Sequence, residues 1–146
     1  MKTNDLRHGD YFTFIGKEDL MPTERENILQ LGAINDMEAD EGEKFADINL
    51  TEEWLIAFGF TKFNEEIDVW HIDDVDETMK EYELWASEQK LVRYTVAIFS
   101  IFPMCTFGVN RVGDDGYALK RIQYVHELQN IMYELTGKEL KLVQPY

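Results

Sequence analysis

The segment YVHELQNIMYELTGKEL, residues 124–140, places His126 beside Glu127 on an apparent helix. A zinc protease helix needs His-Glu-x-x-His, which sets two imidazoles one turn apart. Asn130 stands where the second imidazole must be, and no nearby histidine replaces it. A zinc site is therefore not expected here. The other histidines, His8 and His71, are distant in sequence. His71 with Asp73, Asp74 and Asp76 offers a metal-like set, but an acidic run of this kind binds cations weakly and without selectivity. DMEADEGE (36–43) has the alternating Asp36, Glu38 and Asp40 of a calcium loop. Its Gly42 falls one residue late and the closing Glu is missing, so the loop chemistry is not met. There is no phosphate-cradling glycine loop, and no nucleophile–base pair can be assigned. No motif calls for a cofactor or metal, and no catalytic residue is named.

The same helix explains itself by packing. Val125, Leu128, Met132 and Leu135 follow three- and four-residue spacing, and Ile131 widens the stripe. Gly137 is placed to take a left-handed position after the last turn. His126, Gln129, Asn130 and Tyr133 form a polar stripe, read either as a solvated or hydrogen-bonded face or as a partner surface. A second helix starts in INLTEEWLIAFGF (48–60). Asn49 or Thr51 can cap it, Glu52 and Glu53 sit at its positive end, and Gly59 stops it.

Strands are read over 6–16, 27–35, 67–72, 90–102 and 105–110. The first has apolar residues on both faces and is expected to lie inside a sheet. Residues 73–86 fit helical spacing (Val75, Met79, Tyr82) and strand spacing (Tyr82, Leu84, Ala86) alike. Residues 113–116 read as a turn, and Glu139 to Val143 as a short closing strand. The expectation is an α+β fold: one domain over 1–146, with an antiparallel sheet carrying helices at about 51–58 and 122–136.

Charge is the strongest global signal. The 146 residues carry a formal −15. Residues 1–90 hold 24 acidic and 8 basic side chains, a net −16; residues 91–146 hold 5 and 6, a net +1. The acid is densest in 36–47 and 65–77. Such a surface repels nucleic acid phosphates, so direct DNA binding is not expected. It attracts a basic groove, or simply keeps the chain in solution. The residues offered for partner binding are Asp36, Glu38, Asp40, Glu41, Glu65, Glu66, Asp68, Trp70, Asp73, Asp74, Asp76 and Glu77. Phe45, Trp54, Phe63, Trp70 and Trp85 are candidate aromatic anchors, each also a candidate core residue. No apolar run nears the roughly 18 residues of a membrane span. The first ten residues show no signal-peptide pattern, and one cysteine, Cys105, excludes an internal disulfide. A cytoplasmic location in a bacterial host is the expectation, with oligomeric state open.

Three blocks, LRHGDYF, INLTEEWLIAFGF and IQYVHELQNIMYELTGKEL, occur in that order. In pattern they resemble a group of small phage, prophage and mobile-element proteins of Bacteroidetes, which ends in a YVHxLQNxxxxLTGxEL helix. The blocks cover roughly a third of the chain, and the third is the most specific. Glu127 departs from the group, where Gln is usual. The resemblance carries no catalytic residues. It implies a mobile-element context and, by analogy with a type VI CRISPR inhibitor of similar size, an anti-defence role. The function expected on that basis is a non-enzymatic inhibitor: an anti-CRISPR protein binding a host RNA-guided effector nuclease, with its guide RNA, through an acidic surface. Alternatives are an accessory adaptor in replication, packaging or regulation, and a small metal-assisted hydrolase.

Overall fold

In a computed structural model the chain is α+β, and it divides into two compact units: residues 1–58 with 124–146, and residues 59–123. Residues 9–30, 45–62, 67–72, 75–86, 92–99, 105–111 and 117–143 are described here. Among them, no helix is long and apolar enough to cross a membrane.

The first unit is built on β1 (Tyr11–Phe14), flanked by β2 (Leu29–Gln30) and β3 (Phe45–Ala46) in an antiparallel sheet of order β2-β1-β3. The strand is thus an inner one, as its two apolar faces require, and Phe12 and Thr13 are both fully buried. The Thr13 hydroxyl is satisfied by donating to the Asn27 carbonyl at 2.8 Å. β3 was not anticipated, since two residues carry no readable period.

Helix α1 (Glu52–Ala57) follows Thr51, which is extended and makes no side-chain cap bond. Asn49 does not cap it either. Its amide donates to Asp19 at 2.8 Å, and its backbone bridges to Tyr124. Gly59, at φ 101°, ends the helix as its type predicts. A six-residue helix has no stability of its own and survives by docking Trp54, Leu55 and Ala57.

Helix α2 (Val125–Thr136) starts later than the expected residue 122. Tyr124 precedes it, and the Glu127 carboxylate accepts the Tyr124 N–H at 3.1 Å. Gly137, at φ 72°, closes it with an N–H bond to the Tyr133 carbonyl. Val125, Leu128, Ile131 and Met132 are buried, but Leu135 is 45% exposed and leaves the predicted stripe. The expected strand over 139–143 does not form. Leu140 is buried, and the Val143 N–H bonds the Ala57 carbonyl at the end of α1 rather than a strand partner.

The second unit is one antiparallel sheet of β4 (Thr61–Lys62), β5 (Ile67–Ile72), β6 (Val75–Trp85), β7 (Val92–Phe99), β8 (Cys105–Arg111) and β9 (Tyr117–Ile122). Its order is β4-β6-β7-β8-β9, with β5 also paired to β6. Over 75–85 the ambiguity resolves to strand, because β6 gains a ladder with β7 from Met79 to Trp85. Tyr82, Val96 and Phe107 are cross-strand partners in one buried row, and Tyr94 stacks on Phe107 at 6.2 Å. β7 is less enclosed than its composition suggests, since Val96 is its one buried residue. β9 was not foreseen. It pairs with β8 and ends at Ile122, which is why α2 cannot begin there.

Candidate functional site

Four of the twelve proposed partner-binding residues fall on one hairpin. Asp68 and Trp70 lie on β5; Asp76 and Glu77 lie on β6. In register, Asp68 faces Thr78, Trp70 faces Glu77 and His71 faces Asp76, with a bulge between Asp68 and Trp70. Ile72 pairs with Val75, so the ribbon reverses within two residues. Among the described residues the β6–β7 ladder runs from Met79 to Trp85. Among the described residues, then, the stretch of β6 from Val75 to Thr78 is paired on one side, by β5 alone. The sequence 67–78 holds five acids and no Lys or Arg. Asp36, Glu38, Asp40, Glu41, Glu65, Glu66, Asp73 and Asp74, like Phe63 and the 113–116 turn, lie outside the described residues.

The polar stripe of α2 turns out to be partly internal. Gln129 is 1% exposed. Its carbonyl oxygen accepts the Tyr11 N–H at 2.8 Å, and its amide nitrogen donates to the Gly9 carbonyl at 3.4 Å. That carbonyl also accepts from Gln30 at 2.9 Å. Gln129 therefore binds the start of β1 as a neighbouring strand would. His126 is also buried, with Nδ1 3.5 Å from Asp47 and its ring stacked on Tyr124 at 5.8 Å. Among the described residues no group of three or more His, Cys, Asp or Glu can hold a metal ion.

Described residues from all three sequence blocks meet in the first unit. Tyr11 stacks on Phe58 at 6.2 Å and lies 6.2 Å from Trp54, while Gln129 holds its backbone. An added Cβ on Gly9 would touch the Glu139 carboxylate at 3.6 Å. The blocks thus encode a packed core. Trp54 is part of it and is no anchor: it is fully buried, with its indole N–H on the Leu20 carbonyl at 2.8 Å. Phe45 and Trp85 are half-buried. Trp85 donates to Glu83 at 3.2 Å and lies 5.7 Å beneath Arg93, which pairs with Glu83 at 2.6 Å. That cluster escaped sequence reading because it depends on the β6–β7 register.

Burial raises the Tyr11 phenol above 10.0, with Glu139 adding to the rise and Arg25 opposing it. Burial, Asp47 and Glu127 raise Tyr124 likewise. A phenol whose pKa is higher folded than unfolded keeps its proton more tightly in the native state. Stability is unaffected below pH 10 and falls as the pH rises from there through the folded values. An ultraviolet absorbance titration is expected to show the Tyr11 and Tyr124 phenols among those ionising late, and Tyr11→Phe to remove one late-ionising phenol. Ionisation of all tyrosines together at the ordinary value would refute this. Comparison with known proteins finds no matching family model, no matching curated protein and no matching solved structure.

Proposed function

We propose that this chain is a non-enzymatic interaction protein of a phage or mobile element: an anti-defence inhibitor that occupies a basic groove of a host RNA-guided effector nuclease. The observation that carries the reading is the β5–β6 ribbon. It sets Asp68, Asp76 and Glu77 on one antiparallel hairpin, in a stretch, 67–78, with five acids and no Lys or Arg. The charge distribution supports it, because the net −16 of residues 1–90 is placed to be attracted by cationic surfaces built for nucleic acid. Association through such a surface is fast and salt-sensitive.

The test is direct binding of the full chain to a purified, guide-RNA-loaded effector nuclease at low and moderate salt. The triple variant D68N/D76N/E77Q is expected to bind about tenfold more weakly at low salt, mostly through a slower on-rate. The difference should shrink as salt rises. A triple variant that binds and inhibits like the wild type at low salt would remove the electrostatic basis of the proposal.

A further inference from the structure

We draw no further inference here: the strongest candidate, the half-buried apolar row of Leu84, Tyr94 and Val109 that crosses β6, β7 and β8, carries nothing because nothing in the structure shows what covers it.

Discussion

Trp54→Ala is expected to cost about 3–5 kcal/mol, the range for truncating a large buried aromatic. The indole is fully buried and central to the first unit. It lies 5.8 Å from Phe58 and 6.2 Å from Tyr11, and its N–H satisfies the Leu20 carbonyl. Truncation removes the ring contacts, opens a cavity and leaves that carbonyl without its donor. Helix α1 has only six residues, so nothing local holds it once its main docking side chain is gone. Domains of this size are stable by roughly 5–15 kcal/mol in all. A large share of that margin would go, and urea unfolding followed by near-ultraviolet dichroism should show it as a large fall in midpoint. Trp54→Phe separates the causes: it keeps most of the ring volume and loses the donor, for about 1–2 kcal/mol. A W54A midpoint within error of the wild type would mean that α1 is held by other contacts.

Trp54 also shows where sequence reading stops. Its helix was legible, since Leu50, Trp54, Leu55 and Phe58 share a stripe and Gly59 ends it. Whether the indole served the core or a partner was not, because both uses put an aromatic at the same spacing. Non-local pairing caused the other gaps. In VDETMKEYELW the acids alternate with apolar residues in two periods at once, and only the ladder to β7 selects the strand. β9, YALKRI, was overlooked because Lys120 and Arg121 interrupt its apolar pattern. Both side chains are exposed on a strand paired to β8, and charged residues of this kind guard sheet edges. The acidic ribbon was half legible: composition marked the segment, and the register of β5 on β6 supplied the hairpin that carries Asp68, Asp76 and Glu77.

Gln129 is the sharpest of these cases, and replacing it carries the second large effect. On a helical wheel it belongs to the polar stripe with His126 and Asn130, and a wheel cannot say whether such a stripe meets water or backbone. Here it meets backbone. β1 begins at Tyr11, and the side-chain amide supplies both an acceptor for the Tyr11 N–H and a donor for the Gly9 carbonyl. Gln129→Leu keeps the volume and removes both functions, so the Tyr11 N–H loses this partner in the packed seam between α2 and β1. The expected cost is about 1–3 kcal/mol. The Gly9 carbonyl keeps its bond from Gln30, so most of the loss falls on the N–H. Gln129→Glu isolates the other half. It preserves the acceptor but sets a buried carboxylate against the Gly9 carbonyl oxygen, which should cost more than leucine at neutral pH. Burial raises that carboxyl's pKa in the folded state, so the native form favours the proton. Stability of Q129E should then recover as pH falls, because the protonated carboxyl regains a donor. Urea midpoints of Q129L and Q129E across the acid range test both statements. A Q129L protein as stable as the wild type, or a Q129E protein indifferent to acidification, would show that these two hydrogen bonds do not fasten α2 to β1.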